Sequence, residues 1–236
     1  MRHRRGVFGR LQRLVRGRSV YLLVSLLILV AIGPWLTERL VGRGLWELLL
    51  TLVTLSSIHM LSVKRGQALI AGLLALPTLA SLWLRQLVPW VGLSQVAVGL
   101  LTLFLLYTTV TVLLRVFAEE TVTMDTLSAA LCVYLLMGYL WSSLYGLLYL
   151  LAPAGFHLPT GWTPAKEQGI ATDVPMNLMT YFSFTTLTTL GYGDVLPISG
   201  SARAAVVLEA VLGHFYLAVL VARLVGLHIA DTRRQS

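Results

Sequence analysis

Residues 188–194 read Thr-Thr-Leu-Gly-Tyr-Gly-Asp, and this run has the residue types and spacing to do chemistry. Glycine accepts a positive φ at little steric cost. Gly191 and Gly193, two positions apart, therefore permit a backbone that alternates in handedness. Such a backbone aims successive carbonyls at one axis, where their dipoles can replace the water of a dehydrated cation without binding it irreversibly. Asp194 places a carboxylate directly after. By itself Gly-Tyr-Gly-Asp is equally the sequence of a simple turn, so its setting has to decide.

That setting is apolar. Of 236 residues, 57% are hydrophobic and 12% charged, against roughly 50% and 25% in a soluble domain. Such a composition belongs in a bilayer. The net charge is +8, but Arg2, Arg4, Arg5, Arg10, Arg13, Arg16 and Arg18 crowd the first eighteen residues. A basic tail beside a hydrophobic helix reads as a topology signal and a lipid-headgroup contact, and no nucleic-acid partner is expected. Cys132 is the only cysteine, which leaves no intrachain disulfide, zinc site or redox centre.

A membrane span needs about 20 mostly apolar residues. The pattern predicts spans near 19–37, 44–62, 67–84, 91–114, 126–152 and 202–228, with a kink at Pro77 in the third. With the amino terminus inside, twelve basic residues fall on the cytoplasmic side and five outside, which predicts that both termini are cytoplasmic. A cleaved signal peptide is the competing reading of the first span. Against it, the apolar run is long, and Pro34 follows the only small-x-small triplet, Ala31 to Gly33. Residues 153–175, rich in proline and glycine, are expected to be irregular and external. Residues 176–188 are apolar and suited to a helix but too short to span, the length of a re-entrant helix enclosed by protein or water.

In this setting the 188–194 run resembles the selectivity filter of potassium channels. The chain resembles a bacterial member of the two-helix-plus-pore-loop ion channel family with four extra amino-terminal helices. The likeness is strong over about residues 126–230; before that it rests on hydropathy and helix count. It implies an all-α membrane protein of six transmembrane helices with one re-entrant pore helix, assembled as a homotetramer in the cell (inner) membrane. Its parts would be a basic cytoplasmic tail (1–18), four helices (19–116) and a pore domain (117–236) of outer helix, turret, pore helix, filter and inner helix. By similarity, carbonyls of Thr189, Leu190, Gly191 and Tyr192 would ring K+, the permeant ion, with the Thr189 hydroxyl innermost. Gly193 would close the filter and Tyr192 brace it from behind. Asp194 would attract cations at the outer mouth. No further cofactor is implied.

There are departures from the family pattern. Leu190 stands where valine is commonest, and Thr185 stands where many relatives place an acid behind the filter. Tyr181 and Phe182 stand where many have tryptophans. Glu209, the only acid in the last span, is expected either to bond the Thr185 or Thr186 hydroxyl, replacing that acid, or to be hydrated near the external interface. Gly213 reads as an inner-helix hinge or a packing glycine, and His214 as a proton sensor or a satisfied packing histidine. Arg223 is expected to snorkel or pair with Glu119 or Glu120; otherwise four copies would form a basic ring at the inner mouth.

Rival functions have distinct signatures. Gly191 to Asp194 also matches the Gly-x-Gly-Asp of intramembrane aspartyl proteases, whose chemistry needs a second carboxylate sharing the site. The accompanying Tyr-Asp and Pro-Ala-Leu are absent from the sequence, so no enzyme is expected. A non-selective cation channel would have a polar or acidic residue in place of Tyr192. Voltage sensors carry basic residues at three-residue intervals, yet residues 91–114 hold no charge, so voltage gating is not expected. No ligand-binding domain is recognisable after the last span. Control would then come from lipid, protons, the helices or a separate regulatory subunit.

Overall fold

The computed structural model describes residues 17–36, 42–88, 90–119, 121, 123–159 and 175–235. The basic tail up to Arg16, Arg39, Glu120 and most of the expected turret lie outside the described residues. The chain is mainly helical: α1 Arg18–Leu36, α2 Gly42–Leu61, α3 Arg65–Leu87, α4 Val91–Ala118, α5 Met124–Leu151, α6 Met176–Leu187 and α7 Gly200–Gln235. Five of these, α2 to α5 and α7, are long and apolar enough to cross a membrane, and α1 adds a shorter apolar stretch, Arg18–Gly33. This is the architecture of a multi-pass membrane protein. Helix α3 runs on through Pro77.

Many serines and threonines fit inside these apolar helices because their hydroxyls bond a carbonyl one turn earlier. Thr54 donates to Leu50 O at 2.7 Å, Ser57 to Val53 O at 2.8 Å and Thr102 to Val98 O at 2.8 Å. A polar atom without water must find such a partner or cost several kcal/mol, of order, per group.

Two compact units divide the chain and cut across several helices. The first comprises residues 1–71, 108–135 and 218–236. Within it α1 packs against α2, with Tyr21 edge-on to His59 at 5.9 Å. Asp125, in the first turn of α5, is its polar hub. Its carboxylate accepts from Arg115 Nη2 at 3.2 Å, from the Ser19 amide at 3.4 Å and from the Ser19 hydroxyl. The buried Cys132 thiol donates to Ser19 O at 3.4 Å. Among the described residues, which leave out Glu120, Arg223 pairs with no acid side chain. Its Nη2 donates to the main-chain carbonyl of Glu119 at 2.6 Å and its guanidinium lies 5.2 Å from the Phe117 ring centre.

The second unit comprises residues 72–107 and 136–217. Its core gathers Tyr145 of α5, Phe156, Met179 and Phe182 of α6, Val195, and Ala202 and Ala205 of α7. The segment after α5 is more ordered than its composition suggests. A 3-10 turn at Pro153–Gly155 leads into β1 Phe156–His157, which pairs antiparallel with β2 Leu196–Pro197. The pairing pins the chain leaving α5 to the chain leaving the 188–194 loop. Helix α7 also outlasts its apolar window, continuing to Gln235, because the backbone ladder needs no lipid.

Candidate functional site

Everything at the site hangs on the carboxyl end of α6. The helix closes at Thr188, and Thr189 then takes φ +62°, the one positive φ of a non-glycine residue among the described residues. The Thr189 amide donates to Thr186 O at 3.0 Å and the Leu190 amide to Thr185 O at 2.9 Å. These two bonds are those of a Schellman cap, here with threonine where glycine is usual. A β-branched residue in that conformation costs about 1–2 kcal/mol, which the cap's hydrogen bonds oppose.

The irregularity then repeats. Gly191 has φ +50° and Gly193 φ +77°, so positive φ recurs at 189, 191 and 193, alternating with ordinary values at Leu190 and Tyr192. The Gly191 amide also donates to Thr185 O, at 3.2 Å. In a trans peptide the C=O lies opposite the N–H of the next residue, and no described peptide is cis. Because the amides of 189, 190 and 191 point back into the end of α6, the carbonyls of Thr188, Thr189 and Leu190 point away from it. Residues 188–194 are exposed in the single chain.

A second set of contacts holds the loop from the side. Tyr192 stacks on Tyr181 of α6, ring centres 6.3 Å apart and planes 1° from parallel. The Tyr181 hydroxyl donates to Asp194 Oδ2 at 2.9 Å, and Asp194 Oδ1 accepts the Val195 amide at 3.1 Å. The Tyr181 phenol is pushed up to about 12, first by burial and then by its bond to Asp194. It thus remains a donor at any ordinary pH.

Glu209 differs from both readings of the sequence. It is 0% exposed, which removes the hydrated alternative. It does not bond the threonines either: both the Thr185 and Thr186 hydroxyls donate to Phe182 O, at 3.0 and 2.8 Å. Its partners are the Tyr145 hydroxyl of α5 and the Ser183 hydroxyl of α6, each at 2.5 Å, and Ser183 also bonds Gly138 O at 2.8 Å. The reason is rotational. Ser183 lies two positions before Thr185, about 200° around the helix, on the face turned toward α5 and α7. Thr185 does meet the loop, but through its backbone carbonyl.

Gly213 acts as a packing glycine. A Cβ there would lie 2.5 Å from Leu187 Cδ1, at the end of α6, and α7 runs unbroken through it. Gly138 does the same on α5, where a Cβ would lie 2.6 Å from the Phe184 ring. His214 is exposed in the single chain and contacts Ala210 O of its own helix at 3.0 Å, so no packing partner for it lies within the described residues of one copy. Sequence reading missed Ser183, Tyr145 and Gly138. Their one signal was a hydroxyl, a phenol and a glycine on otherwise apolar helix faces.

Residues 122–228 match the family described as Ion channel. The matched part runs from the start of α5 through most of α7 and supports an ion channel function. No curated protein and no solved structure matches the chain.

Proposed function

We propose that the chain is one subunit of a potassium-selective channel in the cell membrane, conducting K+ passively through a filter built from Thr189 to Gly193. One observation carries this reading most: the alternation of φ from 189 to 193, with the carbonyls of 188–190 turned away from α6. A single copy supplies one strand of carbonyls, while a dehydrated cation needs oxygen on all sides. Four copies about an axis would complete each ring and cover the exposed 188–194 surface. On this reading α1 to α5 and α7 are six spans, α6 is a re-entrant helix and both termini are cytoplasmic. Residues 19–116 are a four-helix part and 117–236 the pore domain. Asp194, held by Tyr181, stands at the outer mouth. Lipid contacts, and room for a separate regulatory subunit, go with the same reading.

The test is cation flux into liposomes carrying the purified protein. Potassium flux well above sodium flux is expected. Gly191→Ala should abolish it, because a Cβ at φ +50° is strained even though nothing lies within 4 Å of it. Equal sodium and potassium permeation would instead mark a non-selective cation channel. Undiminished potassium flux in assembled Gly191→Ala protein would contradict the filter assignment.

A further inference from the structure

The contacts of Glu209 contain a hydrogen-counting problem. Three polar contacts run in series: Tyr145 Oη to Glu209 Oε2, Glu209 Oε1 to Ser183 Oγ, and Ser183 Oγ to Gly138 O. Gly138 O only accepts. The two hydroxyls bring one hydrogen each, so an ionised carboxylate leaves two hydrogens for three contacts. One pair of oxygens would then face each other, at 2.5 or 2.8 Å, with no hydrogen between them. A proton on Oε1 completes the series: Tyr145 donates to Oε2, Oε1–H donates to Ser183, and Ser183 donates to Gly138 O.

We infer that Glu209 is held as the neutral acid, and that its proton is the link fastening α6 to α5 and α7. The surroundings agree. Helix α6 has no charged residue, and Asp125, twenty positions before Tyr145, is the only one on α5. The other titratable groups on those two helices are the Cys132 thiol and the phenols Tyr134, Tyr139 and Tyr149 on α5, and the Tyr181 phenol on α6. On its own helix the nearest are Arg203 and His214, six positions before and five after, and His157 and Asp194 lie on the segments around β1 and β2. Among the described residues no cation bonds the carboxyl, and its partners there are the two hydroxyls. A buried carboxylate without one is costly. Raising the pH withdraws the third hydrogen, so the fastening of α6 weakens as pH rises. The 188–194 loop, capped on the end of α6, would then lose its rigid base.

Infrared spectroscopy of the purified full-length protein reads the proton directly, whatever the protein conducts. A protonated carboxyl C=O band that shifts in heavy water should be present at neutral pH and missing in Glu209→Gln. It should move to higher frequency in Ser183→Ala, which removes the acceptor. The second variant keeps the test sound if the first misfolds. The flux arm rests on the channel reading. Native potassium flux or its selectivity should change between neutral and strongly alkaline pH, and Glu209→Gln, whose amide keeps a hydrogen at every pH, should lose that change. Tyr181, titrating only at about 12, does not account for an effect at lower pH. Absence of the band in folded native protein at neutral pH, or an identical band in Glu209→Gln, overturns the inference. The band without any conduction would refute the channel reading and leave the proton in place.

Discussion

Gly138→Ala would drive a methyl group into the Phe184 ring. The new Cβ would lie 2.6, 2.7 and 2.9 Å from three ring atoms, against a carbon–carbon optimum of about 3.5–4.0 Å. The ring has little room to retreat, since Phe184 stands edge-on to Tyr139 at 5.4 Å and Tyr139 is itself buried. Overpacking of this kind costs about 1–3 kcal/mol. Alanine in place of glycine inside a helix returns about 0.5–1 kcal/mol. The net expectation is a loss of about 0.5–2 kcal/mol per chain, accompanied by displacement of α6. The Ser183 bond to Gly138 O sits at the same contact, so the displacement reaches the linkage to Glu209. Denaturant-induced unfolding of the detergent-solubilised protein measures the loss. Repeating it in a Phe184→Leu background isolates the clash, and the coupling should fall within about 0.5–3 kcal/mol. If Gly138→Ala proved at least as stable as the native protein, with the same effect in both backgrounds, the close-packing argument would be wrong.

Tyr181→Phe should keep the stack on Tyr192 and lose only the bond to Asp194, a change of about 0.5–1.5 kcal/mol. Reduced selectivity for potassium over sodium is the expected readout, and native selectivity would show that the bond does not hold the loop. Conduction should also depend only weakly on membrane potential, because α4 carries no charge before Arg115 and each moved charge yields about 2.3 kcal/mol per 100 mV. In planar bilayers without blockers, a Boltzmann slope of several elementary charges per assembly would refute that expectation.

The long apolar helices, the short helix before the loop and the glycines at 191 and 193 were all legible in the sequence. Each is a local property. A span is a length of apolar residues, and a positive φ selects glycine by sterics alone. Predicted and observed helices accordingly agree to within a few residues at most ends. The exception is the carboxyl end of α7, which hydropathy could not mark because the helix continues past its apolar window.

What connects these elements was not legible. The positive φ at Thr189 comes from the cap that finishes α6, and no glycine announced it. The β1–β2 pairing joins residues some forty positions apart through two-residue strands with no alternation to read. Glu209 stood out in the sequence as an acid in an apolar helix, but its partners depended on which face of α6 turned toward α7. A rotation of about 200° separates Ser183 from Thr185, and sequence reasoning favoured the wrong one. Packing of Gly138 against Phe184 and Gly213 against Leu187 sets that rotation, and side-chain shape across three helices is a property of the tertiary structure alone.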